Sequence, residues 1–77
     1  MGAIQNIDVK TYRRFLEYHG LKHIRDNGGH EIWSKPSLLR PVTFQSHIEP
    51  IPEFIIKNNL RIMGCTKKEL EQFLLQK

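Results

Sequence analysis

Near the start of the chain, Val9, Tyr12, Phe15 and Leu16 recur at three- and four-residue spacing. That spacing puts them on one face of a helix. Asp8 stands before them as a side-chain acceptor for the first free amides. Gly20 stands after them and can enter the left-handed conformation without a Cβ penalty. A first helix is expected from about Val9 to His19. From Leu21 the rhythm turns to alternation: Leu21, His23 and Arg25 against Lys22, Ile24 and Asp26, a strand of mixed faces. Asn27-Gly28-Gly29 is a turn signal, because those residues tolerate positive φ. His30 to Ser34 reads as the returning strand, ended by Lys35-Pro36. Arg40 to His47 has Pro41 at its entry and Val42, Thr43, Phe44 and Gln45 behind it, a β-favouring run.

Pro50 and Pro52 break the chain again, and Pro52 suits the first turn of a helix. Phe54, Ile55, Ile56, Leu60 and Met63 form the apolar stripe of a second helix, closed by Gly64. Thr66 and Glu69 have capping-box spacing, and Leu70, Phe73 and Leu74 supply the buried side of a short last helix. Residues 1–6 carry no periodicity and are expected to fray. The order α-β-β-β-α-α predicts an α+β domain, with helices on one face of a three-stranded antiparallel meander.

Length bounds the rest. Seventy-seven residues form one small domain, 1–77, and exclude a two-domain enzyme, a large cofactor fold or a transporter. The 39 % hydrophobic and 26 % charged content is that of a globular chain rather than a disordered one. No apolar run approaches a membrane span and no signal-peptide pattern opens the chain, so no membrane role is expected. The lone Cys65 excludes an internal disulfide framework and a cysteine-based zinc site, which fits a reducing, cytoplasmic setting. A net charge of +4 favours an anionic partner, nucleic acid first.

Four histidines are the groups suited to proton transfer near neutral pH. His30 follows the Gly28-Gly29 pair, so backbone bulk around it is minimal and a polyanion can approach closely. It also begins a strand, which would hold its imidazole in place. Spacing alone nevertheless favours an ordinary polar strand histidine. His19 and His23 are four apart, but Gly20 between them ends the helix and no third ligand is near, so no metal site is expected. His19 suits a helix C-terminus, and His47 ends the third strand beside Glu49. Cys65 reads as a small packing residue, and Trp33 and Phe44 read as core.

Taken together, Val9-Lys10 through Gly20-Leu21 followed by Asn27-Gly28-Gly29-His30-Glu31-Ile32-Trp33 resembles the HicA toxin family, also called YcfA-like. Pro41-Val42-Thr43-Phe44 with His47 is similar to the family's third strand and the segment after it. Ile51-Pro52, Leu60 to Gly64 and Thr66 to Leu74 look like its closing helices. The similarity spans about residues 8–75. It implies a double-stranded-RNA-binding-like α-β-β-β-α fold with a short extra C-terminal helix. It further implies the toxin of a type II toxin–antitoxin pair, an mRNA-cleaving endoribonuclease that arrests translation and is silenced by a HicB-type antitoxin. His30 aligns with the family's catalytic histidine, and Gly28 and Gly29 with its Gly-Ser positions, serine having become glycine.

RNA carries its own nucleophile, so such an enzyme needs no cofactor or metal. An imidazole at His30 would move the proton, and Lys22, Arg25 and Lys35 would steady charge on the phosphate. A second group, His47 or a cation, would assist. No DNA-reading helix-turn-helix is recognisable, so no direct DNA binding is expected. Two other functions stand beside this one: a non-catalytic RNA-binding module, and a protein-interaction domain whose basic charge is incidental.

Overall fold

A computed structural model of the chain describes residues 6–76. The expected fraying at 1–6 therefore falls, Asn6 apart, outside the described residues. Helix α1 runs Val9–Tyr18, with the Asp8 carboxylate accepting the Thr11 N–H at 3.0 Å and His19 as the C-cap. Its buried side is Val9, Thr11, Tyr12, Phe15 and Leu16, the predicted stripe. The start of the helix carries a second cap from far along the chain: Glu49 Oε2 accepts the Val9 N–H at 2.9 Å.

Strands β1 (Lys22–Asn27), β2 (His30–Ser34) and β3 (Val42–Gln45) pair antiparallel in the order β1-β2-β3. Asn27 lies opposite His30, so Gly28 and Gly29 alone make the turn, with φ of 60° and 87°. Two successive positive φ values are the type I′ geometry that matches strand twist. The ladder shifts between His23 and Arg25 and leaves Ile24 out of the pairing, 53 % exposed. This bulge explains the mixed faces of the first strand. The third strand is shorter than its pattern: Arg40 and Pro41 precede it, and Ser46 and His47 fall in the turn after it.

Helix α2 is Glu53–Met63, with Gly64 at φ 72° closing it. Pro52 is its N-cap rather than part of its first turn, because its ψ of 138° is extended. Helix α3 is Lys67–Gln76 and carries the predicted reciprocal cap. Glu69 Oε1 accepts the Thr66 N–H at 2.7 Å, and Thr66 Oγ1 accepts the Glu69 N–H at 3.1 Å. The molecule is thus α+β, three helices with an open three-stranded antiparallel sheet. Among the described residues, no helix is long and apolar enough to cross a membrane.

Opposed residues share a face of a sheet. Trp33 opposite Val42, together with Phe44, meets Tyr12, Phe15, Leu16, Ile56, Leu60 and Leu70 in one core. The helices therefore cover that face. The other face presents Lys22, Arg25, Asn27, His30, Ile32, Ser34, Thr43 and Gln45.

Glu31 sits with the core face and is 3 % exposed. Its carboxylate accepts Arg13 Nε at 3.1 Å and Trp33 Nε1–H at 3.0 Å, and it pairs with the end of the Arg13 guanidinium. Those bonds, Arg13 first, hold the Glu31 carboxyl below its ordinary pKa against the opposing effect of burial. Burial also pushes His19 below its ordinary value of 6.5. The unfolded chain binds the extra proton at both sites, so both contributions to stability vanish on acidification. Melting temperature should begin to fall as pH drops through about 6.5, from His19, and fall again below about 4.5 as Glu31 is protonated. Thermal melts from pH 7.5 to 3 check this, and a flat profile down to pH 4 would contradict the His19 part.

Candidate functional site at the hairpin tip

The glycine turn fixes the first residue of β2, and that residue is His30. It is half-buried in the central strand, flanked by Asn27 on one side and Gln45 on the other. The chain leaving β3 folds back over the turn: the Ser46 N–H donates to the Gly29 carbonyl at 3.3 Å. His47 then lays its imidazole on Gly29. A Cβ built there would stand 3.2 Å from His47 Cε1 and 3.5 Å from Nδ1. The segment holding His47 is tied down beyond it by Glu49 on the Val9 amide and by the Ile51 N–H on the Ile7 carbonyl at 3.0 Å. Two imidazoles from different parts of the chain are thus brought to one hairpin tip.

Gly29 has two reasons to be glycine, the φ of 87° and the ring above it; Gly28 has only its φ of 60°, with open space around it. Alanine at either position should cost about 1–2 kcal/mol, the penalty of the left-handed region for a residue with a Cβ. Only Gly29→Ala should also shift the His47 ring resonances in NMR spectra. Equal perturbation of His47 by Gly28→Ala would show that backbone strain, and not the ring contact, governs its position.

A cleft of about 220 Å³ opens beside His30, lined also by Thr43, Phe44, Gln45, Pro52, Phe54 and Ile55. The start of α2 forms its far wall. Phe54, placed by its spacing in the apolar stripe, is 71 % exposed there. It lies about 200° around the helix from the buried Ile56, the rotation of two residues at 3.6 per turn. The buried stripe is completed instead by Asn59, a polar residue that periodicity passes over.

The three candidate cations separate. Arg25 lies opposite Ile32, on the same face as His30 and two positions along. Lys22 lies opposite Ser34, four residues from His30, or about 13 Å at strand rise. Lys35 follows Ser34 and donates its Nζ to the His19 carbonyl at 2.7 Å, satisfying the end of α1. The tip therefore gathers Gly28, Gly29, His30 and His47, with Arg25 nearest, whereas Lys22 and Lys35 mark the opposite end of the sheet.

The other histidines have local tasks. His23 stacks on Trp33 with ring centroids 5.3 Å apart, and its Nε2 lies 2.8 Å from Asp26 Oδ1. His19 sits 3.7 Å from the Cys65 sulfur, a contact invisible in the sequence. Burial lowers the imidazole's pKa and raises the thiol's, so both groups are held neutral rather than as a thiolate–imidazolium pair. Among the described residues, no three His, Cys, Asp or Glu side chains form a group that could hold a metal ion. An imidazole beside a glycine-cleared backbone, open to a cleft, is placed to exchange a proton with a bound polyanion. Comparison with protein-family models, with curated proteins and with solved structures found no match to this chain.

Proposed function

We propose that this chain is a HicA-like toxin of a type II toxin–antitoxin pair, an endoribonuclease of double-stranded-RNA-binding-like fold that cleaves mRNA and arrests translation. The observation that carries the reading is the convergence of His30 and His47 on one glycine turn, at the end of a sheet face that also bears Arg25 and Lys22. The serine that the family pattern expects at Gly29 would meet the His47 ring, so glycine at that position goes with histidine at 47.

The ribose 2′-oxygen attacks the adjoining phosphorus as an imidazole takes its proton, and the 5′-oxygen leaves with a proton returned to it. The products are a 2′,3′-cyclic phosphate and a 5′-hydroxyl, and no external nucleophile is consumed. General acid–base assistance of this kind contributes roughly 10²–10⁴-fold. His30 is the assigned base or acid, and Arg25 is the cation best placed to steady the phosphate oxygens. Gly28 and Gly29 let the backbone of the strand approach.

The partner is a HicB-type antitoxin that brings carboxylates to the basic sheet face, since complementary potentials favour encounter. The alternative, a non-catalytic RNA-binding module, draws on the same line of Lys22 and Arg25, which suits phosphate contacts whether or not a bond is broken. Incubation of the purified chain with unstructured RNA separates the two. Cyclic-phosphate ends are expected; salt-sensitive retention of intact RNA would favour the binding module.

A further inference from the structure

Nothing in the chemistry of cleavage requires an exposed aromatic ring, yet Phe54 stands out from α2 on the wall of the His30 cleft. A large apolar side chain 71 % exposed next to a candidate proton-transfer group serves no packing purpose in the core. Its neighbours in the cleft are Pro52 and Ile55, which add apolar surface, and Thr43 and Gln45, whose hydroxyl and amide offer donors and acceptors. Flat aromatic surface, adjacent hydrogen-bonding groups and a cationic sheet face are the combination that receives an unpaired base with its backbone. We propose that this cleft is a nucleobase subsite, in which one unpaired base of an RNA strand stacks on Phe54 beside His30.

The subsite rests on the RNA-cleaving reading above and adds to it how the strand is held. Stacking on Phe54 draws one base out of its strand, and the phosphodiester next to that base then lies along the hairpin tip. The backbone continues over the open face towards Arg25 and Lys22. Because any base has a π-face, the ring selects for unpaired nucleotides rather than for one sequence, and Gln45 supplies what base preference there is.

The test uses the full chain and a short unstructured RNA, with a 2′-deoxy substitution at the cleaved linkage for binding measurements. Phe54→Ala should weaken binding by about 5- to 150-fold, the range for loss of one stacked base, with an unchanged melting temperature. Removing the base flanking the cleaved linkage should cost the wild type a similar factor and cost Phe54→Ala little more, since ring and base act as one contact. Phe54→Trp should restore affinity, and its emission should change on RNA addition. Full affinity in Phe54→Ala, or losses that multiply in the abasic RNA, would overturn the subsite while leaving cleavage by the wild type intact. A wild-type chain that neither binds nor cleaves RNA would instead sink the reading beneath it, and the subsite with it.

Discussion

Replacing His30 with alanine is expected to cut RNA cleavage by about 10²–10⁴-fold, the contribution of a positioned proton-transfer group. The fold should survive. His30 is half-buried at a strand end, outside the apolar cluster, and such substitutions ordinarily stay within about 0.5 kcal/mol. For a domain of this size that is a shift of no more than about 4 °C in melting temperature. Expression of the wild-type chain without a partner should arrest growth, and the His30→Ala chain should not. A folded His30→Ala protein that cleaves as fast as wild type would remove the catalytic assignment, because no other histidine lines that cleft. Comparison with His47→Ala then decides whether the second imidazole shares the proton transfer or only covers the turn.

The largest effect on stability away from the site is expected at Asn59. It is buried at 2 % exposure, and its Nδ2 donates to the Tyr12 hydroxyl and to the Thr43 carbonyl, each at 3.0 Å. One amide therefore joins α2 to α1 and to β3. Tyr12 is fully buried, and burial raises its hydroxyl above the ordinary phenol range, so it stays protonated and depends on such partners. Asn59→Ala leaves a small cavity and takes a partner from two interior oxygens, at a cost of about 2–4 kcal/mol. That is a fall of some 10–25 °C in melting temperature for a domain this small, on the order of half its total stability. Adding Tyr12→Phe to Asn59→Ala should cost less than the sum of the two single changes. Strict additivity in that cycle would mean the hydroxyl–amide bond contributes nothing.

The parts of the fold that were legible are those decided within a few residues. Asp8, Gly20, Gly64 and the Thr66–Glu69 pair act on amides and φ angles in their own neighbourhood, and each acts as its residue type requires. The hairpin was legible because two glycines leave few other turns. Boundaries failed where β propensity ran on past the ladder: Ser46 and His47 belong to the turn that the Ile48 N–H closes on the Gln45 carbonyl. Of the candidate site, the place of His30 was legible, because it follows from the turn. Its companions were not, because His47 on Gly29 and Phe54 across the cleft depend on where a loop and a helix start come to rest. Lys35 looked like a phosphate ligand by charge and lies instead on a helix carbonyl. The Arg13–Glu31 pair, eighteen residues apart, has no local signature at all.

The displaced Ile24 has a consequence for how this molecule meets others. Outer strands with a straight row of free amides and carbonyls act as templates on which further chains polymerise. Here one rim of the sheet is kinked at His23 and Arg25, and at the other Asn59 already occupies the Thr43 carbonyl. Neither rim readily accepts another strand, so the protein should not polymerise through its sheet edges at high concentration. The antitoxin proposed above would then have to engage side chains across the flat of the sheet instead of lengthening it.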